Sequence, residues 1–322
     1  MDGGPGQAQD GTVNPPAGKW LTRAIGALLL CASLIFIALQ IWSFREQLAD
    51  WRLSTSQVLS VATGVVIYAL ACIPLARAWM SIVVSLEGNR HLPCGLQLIY
   101  AKSQIGKYIP GNVAHIVGRH VIARERGYGH RALAYSTFYE IFGLLSAAGL
   151  VASVALLFSG RDLMGQYPLI VAAPALACLL PAYFLAHRQA ARLRPLQPFL
   201  PPTASADLRG QLVSPYLNYL AFFLLAGSTL AILTWPTGAA VSGQNYLYIG
   251  LAFAASWTLG FLTPGAPSGI GIREAVLIYI LSPVIGAPDA VVISILFRLV
   301  TVGGDLLYWL AVEGWQRRRA RT

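Results

Sequence analysis

The sequence predicts an all-α polytopic membrane protein, with about six full spans and two re-entrant Pro-Gly hairpins arranged as an inverted-topology repeat. Three observations support this. Of 322 residues, 56% are hydrophobic and only 11% charged, too few charges to cover the surface of a soluble domain this long. Uninterrupted apolar runs reach the roughly 20 residues a helix needs to cross a bilayer. Strand-period alternation is absent, which argues against an outer-membrane barrel.

The elements follow in order. Residues 1–18 are rich in Gly, Pro and polar side chains and read as a disordered tail. The apolar run within 21–43 lacks a small-residue cleavage site, so it is expected to remain as the first span rather than be removed as a signal peptide. Further spans are expected near 56–86, 132–158, 167–187, 212–234 and 289–315, within one transmembrane domain covering 19–316. The basic tail 317–322 ends the chain. Cys31, Cys72, Cys94 and Cys178 show no paired spacing and read as small core residues.

Orientation comes from the basic residues, which concentrate in retained cytoplasmic segments. Lys19 and Arg23 precede the first span, and seven Lys or Arg between Arg90 and Arg131 follow the second. Arg188, Arg192, Arg194 and Arg209 follow the fourth, and the C-terminus is basic. The remaining connections carry no such excess. Both termini are therefore expected in the cytoplasm. The net charge of +10 is accounted for by loops beside anionic headgroups, so no nucleic-acid partner is implied.

Two segments, 95–126 and 247–286, do not read as simple spans. Each is a pair of short apolar pieces broken at Pro-Gly: Pro110-Gly111 in the first and Pro264-Gly265 in the second. Two full spans in the second, eight spans in all, would leave both termini on the same side, so charge alone leaves the count open. Comparing the segments favours hairpins. "KYIPGNVAHIVGRH" and "FLTPGAPSGIGIRE" place Arg119 and Arg273 at the same interval after Pro-Gly. Further on, "ALAYSTFYE" ends at Glu140 and "AVVISILFR" at Arg298, each about 8 residues into a span, roughly 12 Å at helical rise. Units of about 56–158 and 212–315, one hairpin on each side, make the inverted repeat common in secondary transporters.

The broken stretch "LTPGAPSGIGIREA" points to an anion. A helix beginning after Pro-Gly presents unpaired N–H groups and the positive end of its dipole. Gly265, Gly269 and Gly271 let backbone approach a ligand, and Arg273 adds a forked, fixed positive charge. A phosphate fits such a site. Lys107, beside the first Pro-Gly, is placed to attract anionic lipid, and Lys102 to mark the entrance. Glu140 and Arg298 are expected either to form a buried ion pair joining the repeats or to act in gating or proton linkage. Asp305, seven residues beyond Arg298 on the same helical face, is placed to complete that pair. Glu274 would either neutralise Arg273 or bind a coupling proton. His115 and His120 are five apart, off the spacing of a helical zinc pair, and no metal or other cofactor is expected.

At "QIGKYIPGNVAHIVGRH" followed by Glu140, and "TPGAPSGIGIREA" followed by Arg298, the chain resembles the membrane region of lysylphosphatidylglycerol synthases and the related flippase-like integral membrane family. The resemblance extends over about residues 20–315. It implies a bacterial inner-membrane protein that moves a lipid between leaflets. In full-length synthases a soluble aminoacyl-transfer domain follows; here the chain stops at Thr322, so that activity is expected to be absent. "GAPSGIG" stands where the family has a more glycine-rich turn, which leaves a substrate contact at Ser268 open.

The leading expectation is a flippase-like transporter for an anionic lipid, either a phospholipid or a polyprenyl-phosphate-linked one. Two other classes stay open: a membrane enzyme acting on a lipid phosphate, for which no nucleophile or metal set stands out, and a non-transporting scaffold. A second copy of the chain and enzymes of lipid or envelope synthesis are the protein partners left open.

Overall fold

The computed structural model describes residues 42, 45, 54–87, 95–108, 114–158, 173–179, 181, 208–238, 243–263 and 267–319. The expected first span falls outside these apart from Trp42. Of 167–187 only 173–179 and 181 are described, and both tails lie outside except for Arg317, Arg318 and Arg319. All four tip residues Pro110, Gly111, Pro264 and Gly265 also lie outside.

The described residues are helical, with no strand among them. The long helix α1 (Thr55–Glu87) opens on a reciprocal cap. The Ser54 hydroxyl accepts from the Gln57 backbone N–H at 3.2 Å, and Gln57 Oε1 accepts from the Ser54 N–H at 2.9 Å. Two short helices follow, α2 (Leu96–Ile105) and α3 (Ala114–Glu125), with a 3-10 turn at Gly106–Tyr108 after α2. Then come the long α4 (His130–Phe158) and the brief α5 (Ala173–Ala177). The second half repeats the order: long α6 (Leu208–Thr234), α7 (Gly243–Leu262), a 3-10 turn at Pro267–Gly269, short α8 (Ile272–Ile285) and long α9 (Ala287–Arg319).

Four of these, α1, α4, α6 with the turn that extends it, and α9, are long and apolar enough to cross a membrane. They match the expected spans 56–86, 132–158, 212–234 and 289–315. At 10, 12 and 14 residues, α2, α3 and α8 reach only ~15, ~18 and ~21 Å, short of a hydrocarbon core of about 30 Å. Hydroxyls inside the long helices bond back to their own turns, as Ser136 does to Leu133 O, Thr229 to Leu225 O and Ser294 to Val291 O. These hydroxyls are then not left bare in an apolar medium.

The packing is unchanged in kind when the two sets of four helices are exchanged. Helix α1 packs on α6. As α9 packs on α1 and α2, so α4 packs on α6 and α7. Pairs α2–α3 and α7–α8 match, as do α3–α4 and α8–α9, and the two 3-10 turns touch each other. Small residues permit the central crossing: a Cβ on Gly64 of α1 would lie 3.2 Å from Val300 of α9 and 3.3 Å from Thr229 of α6. Close backbone approach of this kind is how helices associate where no hydrophobic drive separates them from lipid. An aromatic cluster from both halves, Tyr68, Phe222, Phe253 and Phe297, fills the middle edge to face.

Candidate functional site

Beside that cluster lies a cavity of ≈ 70 Å³ walled by both halves. Helices α1, α2, α3 and α4 contribute Tyr68, Gln104, His115, Arg119 and Glu140, and α6 to α9 contribute Phe222, Trp257, Arg273 and Asp305. Lys107 and Ser268, from the two 3-10 turns, complete its polar wall. Of the sequence-predicted site residues, Lys107, Arg119, Glu140, Ser268, Arg273 and Asp305 thus meet at one cavity. Three cations (Lys107, Arg119, Arg273) face two carboxylates (Glu140, Asp305), which leaves one cation over.

The pairing of these charges corrects the expectation that Glu140 joins Arg298. Glu140 is instead held two-pronged by Arg119: Nη1 donates to Oε1 at 3.0 Å and Nη2 donates to Oε2. Tyr100 OH also donates to Oε1 at 3.1 Å. The Arg119 guanidinium lies 4.8 Å from the ring centres of both Trp79 and Tyr100, and the residue is 2% exposed. Its donors are turned to Glu140 and its faces to aromatic rings.

In the second half the polarity is reversed. There the acid is on the short helix and the base on the long one: Arg298 Nε lies 3.6 Å from Glu274 Oε1. Arg298 Nη1 also donates to the Ser268 carbonyl at 3.1 Å, steadying a residue held at φ 51. That left-handed backbone costs a non-glycine residue about 1 kcal/mol, which the bond helps to offset. Glu274 forms its ion pair with Arg298, not with Arg273. It accepts the Gly271 N–H at 2.6 Å, capping α8, so this amide is already engaged by the protein's own carboxylate. Gly271 can cap in this way because its φ of 84 suits a residue without Cβ.

Asp305 likewise has a different partner from the one expected. It is fully buried and accepts from Tyr108 OH at 2.5 Å, with Lys107 Nζ at 2.6 Å and Cys72 Sγ at 3.6 Å. Lys107 and Tyr108 belong to the turn after α2, Asp305 to α9 and Cys72 to α1, so this network ties the two halves together.

Arg273 differs from the other cations. Its half-buried side chain lies against Trp257, 6.0 Å from the ring centre, and its Nε is buried with no hydrogen-bond partner among the described residues. Two glycines seat it. A Cβ on Gly260 would fall 2.5 Å from Arg273 Cγ, and one on Gly269 would fall 2.9 Å from Nε. Gly260, Trp257, Tyr108 and His115 were not singled out from the sequence. Gly260 leaves a signal there: "GKYIPG" and "GFLTPG" set Gly106 and Gly260 at the same interval before Pro-Gly. The others carry no local pattern, because the cavity is formed by helices distant in sequence.

Among the described residues no group of three or more His, Cys, Asp or Glu is placed to hold a metal ion. What the arrangement can do is attract a small anion: the described lining holds one cation more than its carboxylates, and Arg273 Nε has no hydrogen-bond partner among the described residues.

Comparison with curated proteins finds no match. The family model described as the lysylphosphatidylglycerol synthase TM region matches residues 19–307, nearly the whole chain, including every wall of the cavity. This chain therefore belongs to the lysylphosphatidylglycerol synthase TM region family.

Proposed function

We propose that this protein is a flippase-like transporter that moves an anionic lipid, a phospholipid or a polyprenyl-phosphate-linked one, between the leaflets of a bacterial inner membrane. The observation that carries the reading is Arg273, a membrane-embedded arginine whose Nε has no partner among the described residues, in a cavity they line with more cations than carboxylates. Charges inside a membrane are expensive and are found where they serve a polar pathway. The exchangeable packing of the two helix sets supports an inverted repeat, in which the hairpins α2–α3 and α7–α8 reach the cavity from opposite sides. In one state the headgroup phosphate lies on Arg273 with its acyl chains in hydrocarbon. Rocking of the two sets about the α1–α6 contact then opens the cavity to the other leaflet. Lys107–Asp305 breaks and reforms in that cycle, because it crosses between the sets.

The test is leaflet-resolved lipid translocation in proteoliposomes. Arg273→Lys keeps the charge but loses the planar fork, so translocation should fall partially. Arg273→Ala should abolish it while the thermal midpoint in detergent stays near wild type. Full translocation by a stably folded Arg273→Ala protein would refute the reading. Chemical conversion of the lipid without movement would make the protein an enzyme instead.

A further inference from the structure

Resting on that reading, we infer that the group bound in the cavity is a terminal phosphate, a lipid phosphomonoester, and that His115 is its second ligand beside Arg273. Two buried nitrogens in the cavity wall have no hydrogen-bond partner among the described residues: Arg273 Nε and His115 Nδ1. Each is the second residue of its short helix, His115 in α3 (Ala114–Glu125) and Arg273 in α8 (Ile272–Ile285), although the repeat itself pairs Arg273 with Arg119. His115 and Arg273 therefore lie in a first turn, near the positive end of a helix dipole. A buried nitrogen left unbonded is costly, so two in one wall mark a place that a ligand completes. A neutral imidazole with its proton on Nδ1 supplies a donor there.

Charge favours the monoester. The cavity of ≈ 70 Å³ exceeds the space of a single water several-fold and leaves room for a small anionic group. Beyond the charged residues the wall combines apolar side chains such as Leu144, Phe222 and Phe261 with the polar Gln104, His115 and Ser268. A phosphomonoester carries close to two negative charges at neutral pH, against one for a diester. It gains more from a pocket holding three cations to two carboxylates, both of which are already paired with Arg119 and Lys107.

The experiment measures equilibrium binding to the full chain in phosphatidylcholine nanodiscs. The probes are short-chain phosphatidic acid, short-chain phosphatidylglycerol and inorganic phosphate. Phosphatidic acid should bind at least about tenfold more tightly than phosphatidylglycerol, and inorganic phosphate more weakly than phosphatidic acid. His115→Gln should shrink the preference for the monoester to within about threefold, with an unchanged thermal midpoint. Equal wild-type affinity for the two lipids overturns the inference without use of any variant. So does a preference that persists in stably folded His115→Gln. Inorganic phosphate binding as tightly as phosphatidic acid would make the ligand a free anion and overturn the lipid assignment. The two readings fail separately. Selective monoester binding with no lipid crossing the bilayer sinks transport alone, whereas translocation of both lipids with equal binding sinks the monoester alone.

Discussion

Lys107 Nζ lies 2.6 Å from Asp305 Oδ2, and this ion pair joins the turn after the first short helix of one half to the last helix of the other. The partners are unequally buried: the Lys107 side chain is 15% exposed and that of Asp305 0%. An ammonium left alone can extend its stem toward water, while a carboxylate left alone at this depth cannot.

Lys107→Gln should therefore destabilise the protein more than Asp305→Asn, by up to the roughly 3–5 kcal/mol typical of breaking a buried pair from one side. The double variant should regain part of the loss. Thermal unfolding of the four proteins in one detergent gives the coupling energy, and strictly additive losses would show that the pair is not coupled.

A second double variant tests the corrected pairing of Glu140. Exchanging the charges as Arg119→Glu with Glu140→Arg should recover part of the folding yield that either single change removes. Exchanging Glu140→Arg with Arg298→Glu should recover none. Recovery by the second exchange and not the first would restore the pairing expected from sequence.

Gly260→Ala makes a prediction about position rather than charge. Alanine favours the helix by about 1 kcal/mol over glycine, so α7 itself should tolerate it. Its methyl, however, occupies the place of the Arg273 stem, 2.5 Å from Cγ. Lipid translocation should fall by about tenfold or more, and adding Gly260→Ala to Arg273→Ala, which already lacks translocation, should leave the thermal midpoint unchanged. A methyl that impairs the double variant beyond Arg273→Ala would mean that Gly260 acts through some other contact.

Topology is read with single cysteines in a background lacking Cys31, Cys72, Cys94 and Cys178. Glu125→Cys, at the end of α3, should be protected from an impermeant thiol reagent applied outside cells. Thr237→Cys, in the turn after α6, should be labelled. Labelling of both from the same side would remove the opposed orientation on which alternating access depends.

By itself the sequence determined the class and most of the skeleton. Four apolar runs became α1, α4, α6 and α9 close to the expected bounds, because in lipid a backbone must satisfy its own hydrogen bonds and helix is the local way to do so. Of the two broken segments, the first contains the short α2 and α3, whereas the second joins the short α8 to a 20-residue α7; both Pro-Gly pairs lie outside the described residues. Spacing alone placed Arg119 with Arg273 and Glu140 with Arg298 as equivalent positions. Partner choice was not legible. From spacing, Glu140 and Arg298 have opposite charge and equal depth, which makes them a reasonable pair. The fold instead turns α3 against α4 and α8 against α9, so each charge meets one from its own half, and Asp305 meets the other half's turn. Ion pairing is decided within about 4 Å, whereas sequence position fixes depth along a helix but not the direction its face is turned. The same reason hid His115 and Gly260. Their significance is a missing partner in one case and a missing side chain in the other, and both exist only once the two halves enclose a common space.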